Sequence, residues 1–213
     1  MILEFPYYHC DVLKLDSMID GIINLNIDNY PTEINSDGAK IWRNQEGELH
    51  RDNGPAVIYP NGQQEYYQNE CLHRLDGPAI VIPFLYYEYY QNGKRHRLDG
   101  PSIMRSDGYQ AYWVDGKRHR IDGPAVIDEN HREEYWVNGK RNRLDGPAVI
   151  DIKTGYKEYC VDGEYHRLDG PAREWKDGSK EYWVNGKLHN ENGPAVICHN
   201  GKEEYWENGI EIK

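Results

Sequence analysis

Three sets of residues recur along this chain in fixed register and could do chemistry. The first is histidine: His50, His73, His96, His119, His166 and His189, with Asn142 in the one intervening place. A column of imidazoles invites a zinc reading, because neutral imidazole is the commonest metal ligand. The second is an arginine followed two residues later by an acid. It comprises Arg51, Arg74, Arg97, Arg120, Arg143 and Arg167, then Asp76, Asp99, Asp122, Asp145 and Asp169, with Asn53 and Asn192 at the ends. An Arg can pair with the Asp of its own or of a neighbouring repeat, and such ladders are mostly structural. The third is a double aromatic column. Tyr66, Tyr89, Tyr112, Tyr135, Tyr159, Tyr182 and Tyr205 stand directly before Tyr67, Tyr90, Trp113, Trp136, Cys160, Trp183 and Trp206. Tyr and Trp concentrate binding energy at interfaces, so Tyr67, Tyr90, Trp113, Trp136, Trp183 and Trp206 are the candidate partner-binding residues.

The elements that position these columns are repeats. Asp-Gly-Pro-Ala or a near copy recurs around Gly54, Gly77, Gly100, Gly123, Gly146, Gly170 and Gly193, at intervals of 23 residues with a single interval of 24. A period of this length marks a stacked array of small units. In the unit from Asp122 to Leu144, Val126-Ile127 and Glu134-Tyr135-Trp136-Val137 read as strands. Asn92-Gly93, Asp115-Gly116, Asn138-Gly139, Asp162-Gly163, Asn185-Gly186 and Asn208-Gly209 read as type I′ hairpin turns. Asn61-Gly62, Asp107-Gly108, Thr154-Gly155, Asp177-Gly178 and Asn200-Gly201 mark the other turn, and the extra residue of the long interval falls there, around Lys153. Each Asp-Gly-Pro is a corner between hairpins, since proline suits a strand start. The expected fold is all-β, an elongated antiparallel β-hairpin array of about seven repeats with two strands each. No apolar run from residue 37 onward has helical spacing.

The 23-residue period and the hairpins Tyr112-Trp113-Val114-Asp115-Gly116-Lys117, Tyr135-Trp136-Val137-Asn138-Gly139-Lys140 and Tyr182-Trp183-Val184-Asn185-Gly186-Lys187 resemble the variant repeats of the MORN (membrane occupation and recognition nexus) family. The resemblance covers roughly Asp37 to Lys213. This chain has His-Arg-x-Asp-Gly-Pro-Ala where the standard repeat places Gly-x-Gly, which weakens any transfer of lipid binding. Chains with this dialect look similar to repeat proteins of phages and large DNA viruses. The resemblance implies an elongated sheet used for scaffolding or partner binding, in a host-interaction role if the protein is viral.

Geometry argues against zinc. Neighbours in the histidine column sit about 10 Å apart with a strand between them, whereas zinc needs ligand atoms within ~2.0–2.1 Å. Of the two faces, the Tyr column shares its side with Val114, Val137, Val161 and Val184 and is expected to be packed. The Trp column shares its side with Glu134, Glu181 and Glu204 and is expected to be wetter. The formal net charge is −11, of which the first 40 residues contribute −5. An acidic chain is poorly matched to nucleic acid or an anionic membrane surface and well matched to a basic protein. Cys10, Cys71, Cys160 and Cys198 lack metal or redox spacing. No leader or spanning segment is read in the N-terminus, so a cytoplasmic location (host cytoplasm if viral) is expected.

Residues 1–36 do not follow the repeat and read as an N-terminal cap or docking segment, with Ile23 to Asp28 as a strand. Residues 37–213 read as the repeat domain. The last hairpin leaves an edge open to self-association. No catalytic, phosphate-binding or metal motif is present. The expected function is therefore a non-catalytic interaction or scaffolding module with no cofactor. The alternative is a small-ligand binder or enzyme with a site between the N-terminal segment (His9, Cys10, Asp11) and the first repeats.

Overall fold

The two kinds of turn set the architecture. At the Asn-Gly turns both residues have positive φ: 48° and 72° at Asn92-Gly93, 51° and 81° at Asn138-Gly139, 51° and 82° at Asn208-Gly209. That is the type I′ pattern, whose twist matches the flanking strands. Each such turn closes a short outer hairpin, as in Trp136–Val137 against Lys140–Arg141. The other turn reverses at a single residue of positive φ, 94° at Gly108 and 90° at Gly178, with His131 at 59° in the equivalent place of a repeat between them. There the preceding side chain replaces a backbone bond. Asp107 Oδ1 accepts from the Tyr109 amide at 3.0 Å, and Asp177 Oδ1 accepts from the Ser179 amide at 2.9 Å.

A computed structural model of the chain describes residues 30–212, and these are all-β, with no helix among them. The chain divides into two compact units, Met1–Glu70 and Cys71–Lys213. In the first, the inner strands Glu33–Ile34, Lys40–Ile41, Val57–Ile58 and Gln64–Glu65 pair antiparallel in sequence order. Among the described residues strand pairing starts at Glu33, opposite Ile41. The expected strand from Ile23 to Asp28, and His9, Cys10 and Asp11, lie outside the described residues. In the second unit, the inner strands from Ile80–Ile82 to Glu203–Glu204 also pair in sequence order. Its twelve inner strands give a sheet roughly 50 Å long in the pairing direction.

Each full repeat of the second unit has four short strands rather than the two expected. The run Glu134 to Val137 breaks at Tyr135. The Tyr135 amide donates to the Ala148 carbonyl of the next repeat at 2.7 Å, and its own carbonyl accepts from the Asn142 amide at 3.1 Å. With its two backbone groups committed to different neighbours, Tyr135 cannot continue either ladder. Inner and outer hairpins therefore meet at the tyrosine column. The extra residue of the 24-residue interval falls in the turn between Val149–Asp151 and Tyr156–Glu158.

The packed side differs from the expectation. Val126 lies opposite Glu134, which in turn lies opposite Val149, so these share a face with Trp136. Val126 and Val149 are buried, and Glu88, Glu134 and Glu158 are only 3%, 7% and 3% exposed. The Trp–Glu side is the core. The glutamates stay on it because arginines and indole N–H groups meet them there, a contribution that alternation along the strand does not reveal.

The other side is organised by the arginine column. Arg120 Cζ lies 4.1 Å from the centre of the Tyr112 ring. Its Nε donates to Asp122 Oδ1 at 2.9 Å and its Nη1 donates to the Pro124 carbonyl at 3.2 Å. Arg97, Arg143 and Arg167 repeat all three contacts, with ring distances of 4.0, 3.9 and 4.0 Å. The arginine thus pairs with the aspartate two residues on, and also crosses the corner to the next repeat's proline. A Cβ on Gly123 would stand 3.1 Å from Arg120 Cζ. Close approach, not positive φ, is what demands glycine there.

This explanation separates two glycines at equivalent places. At Gly193 the arginine is replaced by Asn190, whose nearest atom would be 3.8 Å from a Cβ. Gly123→Ala should cost roughly 1–2 kcal/mol through overpacking, and Gly193→Ala less than about 0.5 kcal/mol. Urea denaturation of the two variants beside the parent tests this. Equal losses would show that glycine serves the backbone rather than the guanidinium.

Candidate functional site

The candidate aromatic residues Tyr67, Tyr90, Trp113, Trp136, Trp183 and Trp206 are all half-buried. In the second unit their faces and edges are engaged within the chain. Arg95 sits 5.7 Å from the Tyr90 ring and 5.3 Å from Trp113; Arg118 sits 5.5 Å from Trp113 and 5.1 Å from Trp136; Arg141 sits 5.3 Å from Trp136. Rings and guanidinium groups alternate along the array. Indole N–H groups meet the glutamates: Trp136 Nε1 donates to Glu134 Oε2 and Trp183 Nε1 to Glu181 Oε2, both at 2.9 Å. Arg118 Nη1 at 3.4 Å, Arg132 Nη2 at 2.8 Å and Arg141 Nη2 at 3.8 Å also face Glu134. Arg141 Nη1 reaches Glu158 at 2.8 Å.

Substitutions within this ladder compensate one another. Cys160 takes a Trp position and is buried, and Tyr165 takes the next arginine position. There the inner strand supplies the cation instead: Arg173 lies 5.0 Å from the Tyr165 ring and donates to Glu181 Oε2 at 2.9 Å. Burial, then the neighbouring Glu158 carboxylate, pushes the Cys160 thiol up to about 12. That suppresses the thiolate a nucleophile would need. Cys71 is exposed, and Cys10 lies outside the described residues.

The histidine column serves backbone. His73 Nδ1 accepts from the Asn92 amide at 3.1 Å, His119 Nδ1 from Asn138 at 3.1 Å, His166 Nδ1 from Asn185 at 3.2 Å and His189 Nδ1 from Asn208 at 3.3 Å. Each ring caps the outer turn of the following repeat. Asn142 does the same through Oδ1, accepting from the Asp162 amide at 2.9 Å, which explains how asparagine can stand in the column. Among the described residues no group of three or more His, Cys, Asp or Glu side chains has metal-binding geometry.

The surface that remains open is one the aromatic columns conceal. Between each arginine and aspartate of the corner stands one more residue: Leu75, Leu98, Ile121, Leu144 and Leu168. All five are 76–83% exposed. Isolated exposed leucines are ordinary, but five in register on successive corners form a stripe. The corner does not need an apolar residue there. Asp52 occupies the place in the first unit, where Arg51 still lies on the Trp42 ring at 4.0 Å and donates to Pro55. Glu191 occupies it at the other end, where Asn190 still donates to Pro194 at 2.8 Å. Between the Ile121 and Leu144 corners lies an open groove of about 530 Å3, lined by Tyr135 and Val137 beside Arg120 and Arg143.

Aspartates rim the stripe. The side chains of Asp76, Asp99, Asp122, Asp145 and Asp169 are 82–85% exposed, each holding its own arginine through one oxygen. The donated hydrogen bond and then the charge of that arginine hold these carboxyls below their ordinary 3.8. The rim carboxylates therefore stay ionised at neutral pH, and they are the more exposed partners, at 82–85% against 21–23% for the arginine side chains they pair with. Sequence reading passed over the stripe because it sought aromatic rings. The usable signal was leucine or isoleucine at one loop position, with Asp52 and Glu191 in the terminal copies.

No protein-family model matches this chain, and no curated protein matches it significantly. Among the described residues no helix is long and apolar enough to cross a membrane.

Two outcomes follow from the two ion-pair systems. Glu134→Ala leaves Arg118, Arg132 and the Trp136 N–H facing a void. Breaking a fully buried pair costs about 3–5 kcal/mol, and these arginines keep about a third of their exposure, so roughly 2–4 kcal/mol is expected by chemical denaturation. Glu134→Gln should lose less than half of that. For the aspartates the folded-state value lies below the unfolded one. Their contribution is complete above about pH 4 and lost as pH falls through the lowered folded values. Stability measured between pH 2 and 7 should decline on the acid side, and Asp99→Asn, Asp122→Asn, Asp145→Asn together should flatten that decline. An unchanged acid limb would show the corner pairs to be energetically silent.

Proposed function

We propose that this chain is a non-catalytic repeat protein that binds another protein and serves as an interaction or scaffolding module. The observation that carries the proposal is the exposed stripe Leu75, Leu98, Ile121, Leu144 and Leu168, placed where the fold accepts Asp52 or Glu191 equally well. Burying such side chains against a partner contributes about 25 cal/mol per Å2 of apolar surface. Half-buried Trp113, Trp136 and Trp183 are held inside the array, so the working surface is shifted from the aromatic column to the corners. The sequence resemblance to MORN-variant repeats, with the scaffolding role it implies, points the same way. The acidic rim favours a basic partner.

The test is affinity capture from the native cell with the parent and with a Leu98→Ser, Ile121→Ser, Leu144→Ser variant. These side chains are exposed, so the far-UV circular dichroism and the urea midpoint should hold. A protein retained by the parent and lost by the folded variant is the expected outcome. Identical captures would remove the stripe as the binding surface. A Trp113→Ala, Trp136→Ala variant should instead lose stability by several kcal/mol, since each ring is part of the core ladder.

A further inference from the structure

Resting on the reading above, the spacing and charge of the stripe specify what kind of segment fits it. We propose that the stripe binds a basic polypeptide segment in the polyproline II conformation, with an apolar residue at every third position and Lys or Arg between. Two inner strands per repeat, each ~4.8 Å from the next, advance successive corners by about 9.6 Å. Polyproline II has three residues per turn and a rise of ~3.1 Å, so every third side chain points the same way about 9.3 Å further on. Over the four intervals from Leu75 to Leu168 the two periods drift apart by only about 1 Å.

Other backbones fit less well. An extended β-strand alternates its side chains, so residues three apart point to opposite faces. An α-helix returns to one face after seven residues, or about 10.5 Å, and drifts by about 4 Å over the same four intervals. The groove between corners is lined by Tyr135 and Val137 beside Arg120 and Arg143, which gives aromatic and aliphatic surface of the kind on which polyproline II segments dock. Polyproline II leaves its own backbone solvated, which suits a surface whose corner carbonyls are already taken by Arg97, Arg120, Arg143 and Arg167.

Charge decides between occupants. The exposed oxygens along the stripe belong to Asp76, Asp99, Asp122, Asp145 and Asp169, and Glu191 takes the place at the corner that follows Leu168. A second copy of the chain would set these rims against each other. The chain's first 40 residues are acidic, with a net charge of −5, and meet the same repulsion. A segment with a cation in each triplet meets one aspartate per repeat.

The experiment is fluorescence anisotropy of the full chain with four labelled peptides. One carries five Leu-Lys-Pro triplets, one the same composition with the leucines grouped at one end, one five Leu-Glu-Pro triplets, and one a heptad helix of equal leucine and lysine content. The periodic basic peptide should bind at least about tenfold tighter than each of the others. Its affinity should fall by a similar factor in the Leu98→Ser, Ile121→Ser, Leu144→Ser variant and weaken with added salt. Equal binding of the grouped peptide, tighter binding of the helix or the acidic peptide, or no binding at all would overturn the proposal. A parent that sediments as a dimer, with that variant a monomer, would also overturn it in favour of a second copy. The capture experiment keeps the two ideas apart. A natural partner lost by the variant, with peptides that do not discriminate, retains an interaction surface and rejects the polyproline segment. Failure of both rejects the surface itself.

Discussion

An arginine lying on a tyrosine ring closes four successive corners of this array, at Arg97, Arg120, Arg143 and Arg167, and the rest of the repeat is arranged around it. Arg143, on the Tyr135 ring at 3.9 Å, also donates to Asp145 and to the Pro147 carbonyl. One side chain so ties the ring of one repeat to the backbone that begins the next. A cation over an aromatic ring contributes ~0.5–1 kcal/mol at exposed sites and ~2 when desolvated. A single corner of this kind would be marginal. Repetition makes the corners a lattice, since in a stacked array stability is a sum of repeat and nearest-neighbour terms. The motif's composition follows from it. Glycine yields room to the guanidinium, proline exposes a carbonyl to it, and aspartate fixes its orientation.

The opposite face solves a different problem. Two-residue strands offer little apolar area, and the mean hydropathy is −0.92. Valine and isoleucine alone could not fill the space, so glutamate, indole and arginine fill it as a polar ladder whose carboxylates are paired, although the Nε atoms of Arg118, Arg132 and Arg141 have no acceptor among the described residues. Buried polar groups of this kind are costly unless every member is paired. That accounts for the correlated substitutions. Where Cys160 and Tyr165 replace ring and cation, Arg173 arrives from the inner strand. Where Ala111 replaces a glutamate, the Trp113 N–H is buried without a protein acceptor, and Ile103 joins Ala111 and Val126 in the apolar cluster. Histidine works at a third level, caring only for the amide of the neighbouring turn, as the exchange with Asn142 shows.

Much of this was legible in the residues. The period, the hairpins and the antiparallel class follow from Asn-Gly turns and short β-branched runs, whose signals are local. The pairing of Arg97 with Asp99 follows from two residues sharing a face. What resisted reading was burial. Alternation assigns Glu134 to a side but not a depth, and carboxylates are ordinarily placed in water. Only the arrival of Arg118 from the preceding repeat and Arg132 from the same hairpin makes that side the core. The breaking of each strand at its tyrosine was equally hidden, because it depends on hydrogen bonds to the next repeat rather than on the propensity of Tyr135.

The same accounting isolates what the fold leaves undetermined. In each corner Arg, Asp, Gly and Pro are fixed by contacts with one another, and the histidine before them by the next turn. The residue between Arg and Asp makes none of these contacts, so its chemistry is free to vary without cost to the array. Asp52 and Glu191 use that freedom to set a carboxylate beside the column histidine, 3.2 Å from His50 Nε2 and 3.5 Å from His189 Nε2, while staying largely exposed. Five consecutive apolar choices at the remaining corners expose surface that folding gains nothing from. Placed along a rim of aspartates far more exposed than the arginines they pair with, they make a corner edge that is apolar with carboxylate oxygens outermost. A partner that answers both properties once per repeat gains with every repeat it spans, and the number of corners then becomes the measure of how long a segment the array can hold.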